Sequence, residues 1–109
     1  MIDVRQDHLD CVRGILAERA PDCDAWAFGS RVDGGAVAGS DLDLVLEGDR
    51  TLDWRVLARL KDAFEESSLP FRVDVLDWHA LPEHFRKNIL TKRAALRKRN
   101  GRTPGIDSC

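Results

Sequence analysis

The chain has 109 residues, of which 43% are hydrophobic and 33% are charged. This length is sufficient for one domain with a modest core and too short for two. No apolar run approaches the roughly 18 residues of a membrane span, and the first ten residues contain no basic segment followed by an apolar one. We therefore expect one small α/β or α+β unit that is soluble and remains in the cytoplasm.

The formal net charge of −2 conceals an uneven distribution of charge. Residues 1–83 contain 9 basic and 18 acidic side chains, whereas residues 84–109 contain 8 basic side chains and one acidic one, Asp107. The basic segment is typical either of contact with phosphates or an acidic partner, or of a solvated helix followed by a frayed end. Nucleic-acid binding is thus an open alternative, although it is not the expected activity.

The cysteines and histidines predict no metal site of their own. Cys11, Cys23 and Cys109 are odd in number and irregular in spacing, which fits neither a disulfide framework nor a zinc site. The histidines at positions 8, 79 and 84 are isolated from one another. We expect free thiols in a reducing compartment, and histidines that are structural or solvated.

The first half of the chain predicts a helix, two strands and a glycine-rich loop. Apolar residues at three-and-four spacing indicate a helix from residue 7 to about 19, which Pro21 ends. A short strand, 25–28, is followed by the loop DGGAVAGS and by a second strand, 42–46. Because only a crossover connection makes neighbouring strands parallel, these two are expected to be antiparallel.

The second half predicts a helix over about 51–66, a strand over 71–78 and a helix from 82 to about 99 that becomes increasingly basic. Residues 100–109 have the composition of a disordered tail. The expected domain therefore covers residues 1–99. It is an α+β fold whose small mixed sheet of three or more strands is flanked by helices. We expect these helices to lie on one side of the sheet.

Two aspartates interrupt the second strand in the sequence SDLDLVL. Residues two apart on a strand share a face, so Asp41 and Asp43 should lie together while Leu42 and Leu44 enter the core. Carboxylates that close repel one another, and Mg²⁺ is a cation suited to relieve the repulsion. Asp74 interrupts the third strand in the same way. If the third strand neighbours the second, the three acids meet at one end of the sheet, which is enough for two ions about 4 Å apart, the arrangement used in nucleotidyl transfer.

The segment FGSR predicts a phosphate site next to these acids. Gly29 lets backbone amides approach a phosphate, and the hydroxyl of Ser30 can bond a phosphate oxygen. Arg31 is a candidate for a further phosphate oxygen. The neighbouring residues fail the EF-hand, Walker and dinucleotide-binding patterns.

A purely structural explanation of the acids is an alternative, in which Asp41 caps a turn and Asp43 lies on an exposed edge. The joint presence of the Gly-Ser pair and of Asp74 favours the metal site instead. Asp77 points away from Asp74 on an ideal strand, and Asp33 lies in the loop, where it should be solvated. Neither is assigned a catalytic role.

These motifs together resemble the nucleotidyltransferase signature of the polymerase beta superfamily. The shared pattern is a Gly-Ser pair, a ten-residue gap, Asp-Leu-Asp and a later acid in an apolar strand. The short chain, with WAFGSRVDG, SDLDLVL and RVDVLDW, is similar over about residues 3–92 to the minimal nucleotidyltransferases, or MNT proteins. The resemblance implies a polymerase-beta-like fold.

The resemblance also implies roles for six residues, divided into an acidic set and a phosphate-binding set. The acidic set, Asp41, Asp43 and Asp74, would bind two Mg²⁺ ions, and Asp74 would position or deprotonate the attacking hydroxyl. In the phosphate-binding set, Gly29 and Ser30 would hold the triphosphate of ATP, with Arg31 in a supporting role.

MNT proteins commonly act as the antitoxin of a HEPN-domain ribonuclease toxin. The resemblance therefore implies transfer of AMP from ATP to a toxin tyrosine, with release of pyrophosphate. Two alternatives remain open: a non-enzymatic antitoxin that neutralises its partner by binding, and an adenylyltransferase of a small hydroxylated molecule. Relatives tend to end in a short apolar strand after the last helix, and the basic sequence TKRAALRKRN is expected to differ from them there.

Overall fold

The computed structural model describes residues 2–37 and 39–99. These ranges contain four helices, four strands and a 3-10 turn, Trp78–Ala80. The elements in chain order are α1 (Gln6–Arg19), β1 (Asp24–Phe28), α2 (Ser30–Asp33), β2 (Leu42–Glu47), α3 (Trp54–Glu66), β3 (Val73–Asp77), α4 (Glu83–Thr91) and β4 (Ala94–Arg97). The predicted tail, residues 100–109, lies outside the described residues. None of the helices in the described ranges has the length and apolar character needed to cross a bilayer.

The strands form one mixed sheet in the order β3-β2-β1-β4. β1 and β2 are antiparallel, which confirms the prediction from the loop between them. β2 and β3 are parallel, because α3 provides the crossover between them. The register makes Asp43 the partner of both Phe28 and Asp74, so these three residues form a row across the sheet.

One face of the sheet carries the main hydrophobic core. The core side chains come from α1, α3 and the strands, among them Leu9, Val12, Leu16, Ala25, Ala27, Leu42, Leu44, Leu46, Leu60 and Phe64. Burial of one leucine side chain contributes about 1.5–3 kcal/mol, and a one-residue slip of β2 would expose three of them. The alternation of leucine with other residues therefore fixes the register of β2, and with it the position of Asp43 on the opposite face.

The predicted helix from residue 82 to about 99 was wrong in its second half. α4 ends at Thr91, and Ala94–Arg97 forms β4 on the edge of β1. Pairing with β1 satisfies backbone groups that an open edge would leave exposed, and this tertiary gain outweighs helix propensity. This chain thus has a short strand after its last helix, where its basic composition had predicted none.

The prediction that the helices lie on one side of the sheet was also wrong. Phe28 follows Ala27, which is buried in the main core, so Phe28 points to the other face. Its ring meets that of Phe85 on α4 edge-to-face, with centroids 6.4 Å apart. α4 therefore covers part of the face that carries Asp43.

The C-terminal basic residues are partly engaged by the acidic body of the protein. Arg99 Nη2 lies 3.3 Å from Asp24 Oδ2, and the two side chains are only 13% and 11% exposed. Burial alone would raise the pKa of Asp24, but hydrogen bonds and the positive charge from Arg99 hold it below its ordinary value. Arg99 Nη1 also lies 2.7 Å from Asp49 Oδ1. Part of the basic segment thus stabilises the fold, in addition to any contact with a partner.

Candidate active site

The Gly-Ser pair lies where β1 ends and the short helix α2 begins. Gly29 has a φ of 81°, a left-handed conformation that favours glycine. A Cβ atom at this position would overlap Asp43 Oδ2. Because Gly29 has no side chain, its backbone passes directly against the carboxylate of Asp43. The sequence motifs FGSR and SDLD are therefore in contact, although ten residues separate Ser30 from Asp41.

The acidic residues occupy adjacent strands. Asp43 on β2 and Asp74 on β3 are register partners, which places their backbones about 4.8 Å apart. Asp41 immediately precedes β2, and the amide of the next residue, Leu42, donates a hydrogen bond to Arg72 O at 2.8 Å. Burial raises the pKa of the Asp43 carboxyl, and the negative charges of Asp74 and Asp41 raise it further. The ionised site is therefore short of a positive charge.

The donor set suits a hard cation, although the side chains do not surround a common point. Within residues 2–37 and 39–99, no group of three or more His, Cys, Asp or Glu side chains is close enough together to hold a metal ion. Asp74 pairs instead with Arg72, at 3.9 Å between Oδ1 and Nη2. Three neighbouring carboxylates with a raised pKa at Asp43 still fit Mg²⁺, which prefers oxygen ligands. The metal roles of Asp41, Asp43 and Asp74 remain predictions.

Arg31 joins the two halves of the site through its side chain. Its Nε donates to Ser40 O at 2.9 Å, and its Nη1 donates to Asp3 O at 2.8 Å. The guanidinium also lies 4.6 Å from the centroid of the Phe71 ring. Arg31 thus links the start of α2 to the residue before Asp41. Its predicted contact with a phosphate stays a prediction.

Several other polar residues have structural surroundings. Asp77 is buried and accepts hydrogen bonds from the amides of Leu52 and His79, in line with the absence of a catalytic assignment. Asp33 is exposed, as expected, and accepts from Gly35 N. Cys11 and Cys23 are free thiols, whereas Cys109 lies outside the described residues.

Two cavities flank the acidic residues and contain side chains that the sequence motifs did not identify. The larger, about 610 Å³, is lined by Asp41, Asp74 and Arg72 among others, and the smaller, about 320 Å³, by Asp43, Asp74, Phe28 and Phe85 among others. Lys61 on α3 lines both. The amphipathic pattern of α3 assigns Lys61 to the polar side of the helix. No sequence signal indicated that this residue adjoins Asp74.

Comparison with known proteins shows similarity over most of the chain. Residues 15–102 match the family model described as "Polymerase beta, Nucleotidyltransferase". The probable protein adenylyltransferase MntA of Haemophilus influenzae is 48% identical over 88 residues, which are 81% of this chain and 77% of that protein.

Solved structures share the fold at lower sequence identity. A toxin-antitoxin crystal structure with AMP-PNP superposes with a TM-score of 0.64 at 21% identity, covering 84% of this chain and 74% of that one. The toxin-antitoxin MntA-HepT gives a TM-score of 0.60 at 19% identity, covering 85% and 72%. A tri-AMPylated Shewanella oneidensis HEPN toxin in complex with MNT antitoxin gives 0.60 at 19% identity, covering 86% and 72%.

Proposed function

Because the chain belongs to the polymerase beta nucleotidyltransferase family, we propose that it is a Mg²⁺-dependent protein adenylyltransferase of the MNT type. It transfers AMP from ATP to a tyrosine of a HEPN-domain toxin and so acts as the antitoxin in the cytoplasm. The observation that carries the proposal is the close approach of Gly29 to the Asp43 carboxylate, together with the pairing of Asp43 and Asp74 on adjacent strands. The name of the H. influenzae relative and the AMPylated toxin in complex with an MNT antitoxin support the acceptor class.

The proposed chemistry divides the site into two parts. Gly29 and Ser30 hold the phosphate chain of ATP, and Asp41, Asp43 and Asp74 hold Mg²⁺. When bound, Mg²⁺ neutralises phosphate charge and orients the attacking and leaving oxygens. The acceptor hydroxyl gives its proton to Asp74 and its oxygen bonds the α-phosphorus, while the bond from phosphorus to pyrophosphate breaks. Rate acceleration comes mainly from positioning and from stabilisation of charge.

The experiment is AMP transfer from labelled ATP to the cognate HEPN protein, with purified components and Mg²⁺. We expect Asp41→Asn and Asp43→Asn each to abolish labelling, and a chelator to do the same. Asp33→Asn is the matched control, because Asp33 is an exposed acid close in sequence but outside the row of acids. Labelling that persists in both variants would contradict the proposal.

Further measurements distinguish AMP transfer to the toxin from the alternative functions. If the double variant Asp41→Asn/Asp43→Asn neutralises the toxin at wild-type potency, the protein acts by occlusion and not by AMP transfer. Labelling of an aminoglycoside in place of the HEPN protein would instead identify a transferase of small hydroxylated molecules. A loss of affinity for RNA with rising salt would indicate nucleic-acid binding through the basic segment.

A further inference from the structure

The order of the strands sets the order of the site residues across the sheet. Gly29 follows β1, Asp43 lies on β2 and Asp74 lies on β3, so these residues follow one another across the sheet. In nucleotidyl transfer the attacking oxygen and the leaving oxygen are roughly in line on opposite sides of the phosphorus. With the leaving pyrophosphate at Gly29 and Ser30, the acceptor oxygen has to arrive from the β3 side.

The smaller cavity extends along this row from Phe28 at the end of β1 to Asp74 on β3, and so reaches the β3 side. It has a volume of about 320 Å³, near the lower end of the roughly 300–1,000 Å³ typical of ligand pockets. This volume has room for a single aromatic side chain. Phe28 and Phe85 line it, and their edge-to-face arrangement, with 88° between the ring planes, leaves ring surface for another aromatic group. Phe85 is 37% exposed, although it is a large apolar residue beside an acidic cluster.

Lys61 supplies a positive charge at the same cavity. Its neighbours on α3, Leu60 and Phe64, are buried in the core and fix the helix in place. None of the ion pairs formed by residues of the described ranges involves Lys61. An ammonium with no ion-pair partner among the described residues is available for a charge-assisted hydrogen bond to an incoming oxygen.

We propose that this cavity is the acceptor site and receives the phenol side chain of a tyrosine presented by a protein partner. Phe28 and Phe85 pack against the ring, and Lys61 lies beside the phenolic oxygen, which loses its proton to Asp74. That oxygen then bonds the α-phosphorus as the bond to pyrophosphate breaks on the side of Gly29. The inference rests on the proposed AMP transfer and assigns the acceptor half of the same site.

The test separates binding of the nucleotide from binding of the acceptor. The variants are Phe85→Ala and Lys61→Met, and their controls are exposed residues of the same helices outside the cavity, Leu90→Ala on α4 and Arg59→Met on α3. Calorimetry with AMP-PNP and Mg²⁺ measures nucleotide affinity. Steady-state AMP transfer to the cognate HEPN protein, and to a version with serine in place of the acceptor tyrosine, gives kcat and KM.

We expect all four variants to bind AMP-PNP with nearly wild-type affinity. Phe85→Ala should raise the KM for the tyrosine acceptor about tenfold while leaving transfer to the serine acceptor unchanged, because only the aromatic ring contacts Phe85. Lys61→Met should lower kcat by at least about tenfold, and Lys61→Arg should restore much of it. The controls should resemble the wild type.

Two results would overturn the acceptor site while the proposed function stands. One is a weaker affinity for AMP-PNP in Phe85→Ala and Lys61→Met with an unchanged acceptor KM, which would identify the cavity as a nucleotide site. The other is wild-type kinetics in both variants. If the wild-type protein binds AMP-PNP but transfers no AMP to the HEPN protein, the proposed function fails and the acceptor site fails with it.

Discussion

Replacing Gly29 by alanine tests the contact between the two halves of the site. Gly29 has a φ of 81° and a ψ of −157°, a conformation essentially restricted to glycine, in which another residue is strained by about 1–3 kcal/mol. The added Cβ would also overlap Asp43 Oδ2, so this carboxylate has to leave its rotamer at a cost of about 0.5–1.5 kcal/mol. We therefore expect Gly29→Ala to lower the free energy of unfolding by about 1.5–4.5 kcal/mol, the sum of both costs.

Gly34→Ala is the matched control for this experiment. Gly34 lies at the other end of α2 with a φ of 95°, and nothing is within 4 Å of an added Cβ. Gly34→Ala also places an L-residue at positive φ, but in the αL region and without the collision, so we expect a loss of about 1–2 kcal/mol. Urea denaturation of the wild type and both variants, without nucleotide, measures the two losses.

The rates of AMP transfer should separate the two variants more sharply than their stabilities. Displacement of Asp43 by about 1 Å is expected to slow transfer about 100-fold, because the geometry of the reacting groups is lost. Gly34→Ala leaves the carboxylate in place and should retain nearly the wild-type rate. The assay is transfer to the HEPN protein at saturating ATP and Mg²⁺. Equal rates of AMP transfer in the two variants would refute the idea that a glycine at position 29 is required to leave space for the Asp43 carboxylate.

Three further predictions concern charge. Because the pKa of Asp43 is raised in the folded protein, the wild type loses stability as pH rises from the ordinary value of 3.8 through the raised one. At pH 8 without divalent metal, Asp43→Asn should therefore unfold at a higher urea concentration than the wild type. The difference in stability between the two proteins should shrink as pH falls. A variant that is less stable than the wild type at pH 8 would contradict this prediction. Arg31→Ala should lower the free energy of unfolding by about 1–3 kcal/mol without nucleotide, through the lost hydrogen bond to Ser40, whereas a residue that served only to bind phosphate would leave it unchanged. Arg99→Met should cost about 3–5 kcal/mol in urea denaturation, because it leaves the buried Asp24 carboxylate without the guanidinium that neutralises it. The double variant Arg99→Met/Asp24→Leu should recover much of that loss if the ion pair is responsible.

The sequence predicted those parts of the fold in which one local pattern has one structural solution. The alternation in SDLDLVL is compatible with a buried strand in a single register, so Leu42 and Leu44 were correctly assigned to the core. The glycine-rich loop after β1 similarly required an antiparallel pair. Asp43 and Asp74 were expected to be neighbours, and the parallel pairing of β2 with β3 makes them register partners.

The incorrect predictions concern features that depend on contacts between distant segments. Ala94–Arg97 has good helix-forming residues and no clear alternation, and only the open edge of β1 makes it a strand. The side of the sheet on which α4 lies is set by the contact of Phe85 with Phe28, which are far apart in sequence. Lys61 was overlooked for the same reason, since it shares a cavity with Asp74 only because α3 packs against β3.

The pairing of β4 with β1 has a consequence for how the protein is made. All six predicted site residues lie between positions 29 and 74, whereas the strand that closes the edge of β1 ends at Arg97. When a nascent chain has emerged from the ribosome as far as Thr91, it already contains every residue of the site. At that stage β4 has not yet paired with β1, so one edge of β1 still has unpaired backbone groups. Such an edge is a template for association with other strands. Premature termination after α4 should therefore give a protein that retains the nucleotide motif and aggregates.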